Sequence, residues 1–210
     1  MEQVTMSRRR HSVVIWVMMG VSLLWGIVGW LTFTDNHWLA QILNPGPTGL
    51  EARLAAAHIE ETDFPAADQW HAYDPYDEET PNALITRGYE YSHQDAFWIK
   101  VSQQLRIYPN ARAAQAAYHY EVLEGFTPKW TSPAGLTFSD HADMITVRCI
   151  ESYINNVHHY PCRAIAVYDD MLVIFLANVF DDRWFTMADF EQLLTVMDAR
   201  MVAAMETTKP

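Results

Sequence analysis

The chain is short of glycine, cysteine and positive charge, and each shortage excludes something. Its eight glycines are scattered singly over 210 residues, so no Gly-rich loop is available to cradle a phosphate. The only cysteines are Cys149 and Cys162, which favours a single disulfide over a Cys-based metal site. Basic residues number 14 against 26 acidic ones, a net charge of −12. Three of the basic residues, Arg8, Arg9 and Arg10, stand before residue 33 with one acid, Glu2, which leaves 11 basic against 25 acidic residues beyond it. Nucleic acid and an anionic membrane surface are thereby poor candidates for the main partner. The acidic excess serves solubility or meets a cationic partner. H-E-x-x-H, an acidic loop of EF-hand spacing and G-x-S-x-G are also missing, and with them the usual zincin, calcium-loop and nucleophile-elbow readings. There is no internal repeat and no low-complexity tract.

What the chain does have is apolar length near its start. Residues 1–11 are polar and end in Arg8-Arg9-Arg10-His11; residues 12–33 are 22 residues with no charged side chain. As a helix they span roughly 33 Å, enough for a hydrocarbon core of about 30 Å. The run is longer than a signal-peptide apolar region, and no A-x-A-like cleavage site follows it. We therefore expect an uncleaved transmembrane signal anchor at 12–33, a cytoplasmic tail at 1–11 and a juxtamembrane linker at 34–47. The arginines ahead of the segment place the N-terminus in the cytoplasm. The remaining domain, 48–206, is then extracytoplasmic, and 207–210 fray.

Ile145 to Phe180 reads as three consecutive antiparallel strands. Ile145–Ile154 is rich in β-branched and aromatic residues, and Asn155-Asn156 supplies residues that tolerate the left-handed turn conformation. Folding the chain there sets Cys149 opposite Cys162 in a non-hydrogen-bonded pair, where side chains approach closely. A disulfide in that place agrees with an oxidising, extracytoplasmic compartment and is worth about 3 kcal/mol on the chain-entropy account. The alternative is two buried free thiols. Pro161 conflicts with the register, because it falls where a ladder N–H is needed. Either it marks a sheet edge, or a bulge or longer loop shifts the phase. The next hairpin turns at Asp169-Asp170. Its second strand, Met171–Val179, is apolar on both faces and belongs in the sheet centre.

Elsewhere, Thr48 and Glu51 have capping-box spacing ahead of a short helix. Residues 62–82 carry Pro65, Pro75 and Pro81 and little periodicity, and read as a long irregular segment. Ala83–Tyr91 and Ala96–Tyr108 read as strands. Asn110 caps a helix over 111–124 whose inner stripe is Ala114, Ala117, Tyr118 and Val122. Thr186 and Asp189 cap a final helix carrying Phe190, Leu193, Leu194, Met197 and Met201 on one face. The expected fold is α+β: an anchor, then an antiparallel sheet of about five strands packed by two main helices, in the order β-β-α-β-β-β-α.

Chemistry-bearing constellations are few. His158 and His159 lie near Cys162, but adjacent residues in a strand point to opposite faces and cannot share one ion. Asp74, Asp77, Glu78 and Glu79 form the densest acidic group, either a solvated loop or a loose calcium site. Trp98 alternates with inward residues and can present an aromatic patch or join the core. We take Trp98, Asp74, Asp77, Glu78, Glu79, His158 and His159 as the candidate partner-binding surface, and expect no catalytic set, no metal and no cofactor. The layout resembles that of many bacterial single-pass extracytoplasmic proteins, a likeness of architecture that transfers no functional residue. The leading expectation is a membrane-anchored extracytoplasmic binding or accessory domain, working with a protein partner in or on the membrane as a subunit of a larger complex. The alternatives are a hydrolase using carboxylates or a weak metal site, and a ligand sensor acting through a membrane partner.

Overall fold

The computed structural model describes residues 47–206, except Ser139 and Asn155. The expected tail and anchor, and the linker up to residue 46, lie outside the described residues; among the described residues no helix is long and apolar enough to cross a membrane. The described elements are α1 (Pro47–Ala57), two 3-10 turns (Glu61–Asp63 and Ala67–Gln69), β1 (Trp70–Ala72), β2 (Tyr76–Asp77), β3 (Ile85–His93) and β4 (Ala96–Ile107). Then come α2 (Ala111–Gly125), β5 (Met144–Cys149), β6 (Ser152–Ile154), β7 (Val157–Tyr168), β8 (Met171–Val179) and α3 (Met187–Glu206). The strands pair antiparallel in the order β1-β3-β4-β8-β7-β5, with β2 added beside β3 and β6 beside β7.

β8 explains the layering. Its alternate residues bury into two separate cores, Val173 and Phe175 on one face, Leu172 and Ile174 on the other. Fully burying one such side chain is worth about 1.5–3 kcal/mol, so a strand apolar on both sides is stable only with both faces covered. On the first face Leu54 of α1 and Phe190, Leu193, Leu194, Met197 and Met201 of α3 meet Ile99, Val101 and Leu105 of β4. Cys162, Ala164 and Ala166 on β7 are small and belong to the same core. On the second face Ala114 and Tyr118 of α2 cover Ile165, Val167, Leu172 and Ile174.

Polar groups inside the first core have structural partners. Gln103 is fully buried on β4. Its Oε1 accepts from the Ile59 N–H at 2.9 Å and its Nε2 donates to the Ala57 carbonyl at 3.0 Å. It thereby satisfies backbone groups at and just beyond the end of α1 that the helix leaves unpaired. The Tyr91 hydroxyl donates to the Ile59 carbonyl. Arg53 of α1 donates from Nη1 to Asp170 Oδ2 at 2.9 Å, which ties the helix to the β7–β8 turn.

The disulfide Cys149–Cys162 is formed, with Cys149 opposite Cys162 and Ile154 opposite Val157 in one unbroken register. The conflict at Pro161 is resolved without a phase shift. Ile150 N–H donates to the Pro161 carbonyl at 3.0 Å, and proline has no N–H to return. The partner strand breaks at that point into β5 and β6. Cys149 directs its own backbone outward, exchanging hydrogen bonds with Thr131, as a non-hydrogen-bonded position toward β7 requires.

Three expectations need correction. The sheet has eight described strands, not five, because residues 62–82 supply β1 and β2 and because Pro161 divides one strand into two. Three helices pack on it rather than two. The first helix begins at Pro47, a residue preset for a first helical turn. Thr48 therefore lies within the first turn rather than at its cap, and Glu51 Oε1 accepts from Arg87 Nη2 at 3.1 Å. The other caps are as expected. Asn110 Oδ1 accepts from Ala113 N–H at 3.0 Å, and Thr186 and Asp189 bond each other's backbone N–H groups.

Candidate functional site

Trp98, His158 and His159 come together at one corner of the sheet, around the loop that leaves β8. The β6–β7 turn, with Asn156 at φ 63°, brings both histidines to the start of β7. As strand neighbours they face opposite ways. His158 stands between two acids: Nε2 lies 2.9 Å from Glu151 Oε1 and Nδ1 lies 3.2 Å from Asp181 Oδ2. Only the imidazolium can donate from both nitrogens. The hydrogen bond to Asp181, helped by Glu151, accordingly raises the His158 pKa above its ordinary value. Tyr153 and Tyr160 flank the ring at 5.0 and 4.7 Å between centroids. His159 is the opposite case. It is 2% exposed, is stacked on Phe180 at 5.6 Å, and has a buried Nδ1 without a hydrogen-bond partner. Burial lowers its pKa, so the two neighbouring rings are pushed in opposite directions, His159 toward the neutral form and His158 toward the protonated one.

The loop itself is short and strained. Phe180 N–H donates to Phe185 O and Phe185 N–H to Arg183 O, both at 2.7 Å, and Phe180 bridges Thr186. Closing it in so few residues puts Trp184 at φ 60°. For a bulky side chain this left-handed conformation costs about 1–3 kcal/mol and persists only where its surroundings hold it. Aromatic contacts do so here. The Trp184 ring meets Trp98 and Phe180, each at 5.2 Å and 84°, and Trp98 meets Phe180 at 5.6 Å. The Arg183 guanidinium lies 4.3 Å from the Trp184 ring centroid. Trp98 is thus half-buried at the base of the loop, and Asn178 Nδ2 reaches its carbonyl at 3.4 Å. Aromatic faces edged by carboxylates make a recognition surface suited to cations and to planar groups.

The acidic group lies elsewhere. Asp77 is in β2, and its Oδ1 accepts from Arg87 Nε at 2.8 Å. Glu78 accepts from Gln104 Nε2. Asp74 and Glu79 are exposed. Arg87 sits opposite Leu105 of β4, roughly 23 Å along that strand from Trp98 at ~3.3 Å per residue. The neighbouring Tyr76 ring lies flat on Gly88, where any side chain would strike it. Asp77 and Glu78 therefore help fasten the β2 segment to β3 and β4. Among the described residues no group of three or more His, Cys, Asp and Glu side chains is placed to hold a metal ion.

Two further constellations escaped the sequence reading. Asp198 of α3 is 1% exposed. Its Oδ1 accepts from the His141 N–H at 2.7 Å and the Tyr168 hydroxyl at 2.9 Å, and its Oδ2 lies 2.7 Å from His141 Nδ1. Burial pushes this carboxyl up, but the His141 backbone, its ring and Tyr168 together outweigh burial and hold it below the usual carboxylate range. The same hydrogen bond raises the His141 pKa. The sequence held a signal for this clasp: Asp198 is the one charge on the apolar stripe of Leu194, Met197 and Met201. Under α2, Glu121 accepts from Arg106 Nη1 and from Arg163 Nη2, each at 2.7 Å. The Arg163 guanidinium packs against Gly125, where a side chain would make it shift.

No family model matches this chain, and no curated protein matches it. Among solved structures it is similar to the extracellular domain of PknH from Mycobacterium tuberculosis. The TM-score is 0.54 at 14% identity, over 74% of this chain and 96% of that one. At that identity the likeness shows the fold, an α+β domain with an antiparallel sheet, and transfers no residue.

Proposed function

We propose that this chain is a membrane-anchored extracytoplasmic binding domain, an accessory subunit that engages a protein partner through the corner built on Trp98, His158 and the 180–186 loop. The observation that carries the binding reading is Trp184. Loop closure and the walls of Trp98 and Phe180 hold this bulky residue at positive φ beside two exposed carboxylates, and strain of this kind gathers at ligand-contacting loops. The extracytoplasmic reading is supported by the disulfide, by the expected anchor at 12–33 and by the likeness to a domain described as extracellular.

The test is the native size of the full-length protein, extracted from its own membranes in mild detergent, with mass spectrometry of whatever travels with it. We expect reproducible companions that are lost in Trp184→Ala while the disulfide stays oxidised. A protein that runs alone, or companions retained by Trp184→Ala, would overturn the reading.

A further inference from the structure

We infer that the corner recognises a guanidinium: the partner presents an exposed arginine side chain to the face of Trp184, with Asp181 and Asp182 of the same loop supplying the counter-charge. This rests on the binding reading above and adds the chemistry of what is bound. The chain itself displays the arrangement, since Arg183 lays its guanidinium 4.3 Å from the Trp184 ring centroid. Arg183 is exposed, and among the described ion pairs it takes part in none. It can swing off the ring without breaking a salt bridge, which makes it a stand-in for an incoming group rather than a fixed strut. Asp181 and Asp182 are both exposed beside it. A related grouping stands one strand away, where the His158 imidazole packs between Tyr153 and Tyr160 and reaches Glu151 and Asp181.

The corner thus places a guanidinium on an indole face and an imidazole between two tyrosines, with carboxylates at the rim of each. A planar guanidinium suits it better than an ammonium, because it stacks on the indole and forks onto a carboxylate at the same time. The net charge of −12 adds long-range attraction for a basic partner.

The test uses the full-length protein in mild detergent, labelled with 5-fluorotryptophan, with the Trp98 and Trp184 fluorine signals assigned by Trp→Phe substitution. The probes are an acetylated, amidated Gly-Arg-Gly-Arg-Gly peptide, its lysine counterpart, and chitotetraose as a neutral ligand for aromatic surfaces. The arginine peptide should shift both signals saturably and bind more tightly than the lysine peptide. Arg183→Ala should tighten that binding about twofold to fivefold, the range of an exposed cation–π contact, because the internal competitor is gone. Arg112→Ala removes one equal charge from the exposed side of α2 and should change it much less. Equal binding of the two peptides, or equal gains from the two Arg→Ala variants, would reduce the effect to net charge and overturn the inference. Shifts with chitotetraose alone would overturn it while leaving the corner a binding site. If no probe moves either signal the inference is overturned, and the binding reading stands or falls by the companions that travel with the full-length protein.

Discussion

On one face of the sheet, α1 and α3 bury long apolar side chains, and the polar groups among them, Gln103 and Asp198, each have their partners. On the other, α2 lays a narrower stripe of alanines and Tyr118, and beside it Arg106, Glu121 and Arg163 form a charged bridge of low exposure. The first face carries most of the hydrophobic driving force. The second sets the position of its helix through a carboxylate shared by two strands, since ion pairs that leave water repay little in stability but are demanding in geometry. The two faces should therefore fail differently: the first by losing stability, the second by losing the seat of α2.

Phe190→Ala tests this with the largest expected effect. Phe190 is fully buried and stacks on Phe175 at 5.9 Å between centroids. Its removal should cost about 3–5 kcal/mol, read as a fall in the denaturation midpoint. Replacing both cysteines by alanine acts on the same face and should cost about 3 kcal/mol; a loss under 1 kcal/mol in urea melts would show that the hairpin register holds without its cross-link. Glu121→Gln addresses the other face. It leaves Arg106 and Arg163 without their shared carboxylate, for about 1–3 kcal/mol. It should also speed hydrogen exchange in α2 while α3 stays protected; uniform acceleration would mean that the faces are not independent.

The smallest effect is a pH window on the first face. The raised His141 pKa gives stability that is fully present below 6.5 and is lost as pH rises through the higher folded value. The lowered Asp198 pKa gives stability present above 3.8 and lost as pH falls through its folded value. The clasp should be tightest between those limits. His141→Asn should remove the alkaline limb of the melting temperature against pH and leave the second face unchanged. A wild-type profile that stays flat above pH 6.5 would show that the clasp adds nothing.

Local signals made some of this legible and left the rest hidden. The register through Cys149 and Cys162, the central place of Met171–Val179 and the stripe of the last helix all follow from periods of two or 3.6 within one segment. β1 and β2 are three and two residues long, too short for alternation to show. The bridge at Glu121 joins residues 15 and 42 positions away, and the Asp198–His141 clasp joins residues 57 apart; no spacing rule reaches that far. The corner is a mixed case. Trp98 and the two histidines were singled out by residue type and alternation, but what unites them is the 180–186 loop. Its strained Trp184 is a backbone property that emerges only when the loop closes.

The seam between β4 and β8 has a kinetic consequence. It pairs Val101 with Ala177 and Ile107 with Met171, far apart in the chain, whereas β3–β4 and β5 to β8 each pair with near neighbours in sequence. Loop-closure entropy favours the near pairings first. The chain is thus built as two hairpin assemblies whose joining is the slow event. The cysteines, 13 positions apart within one of them, can find each other before the domain is whole.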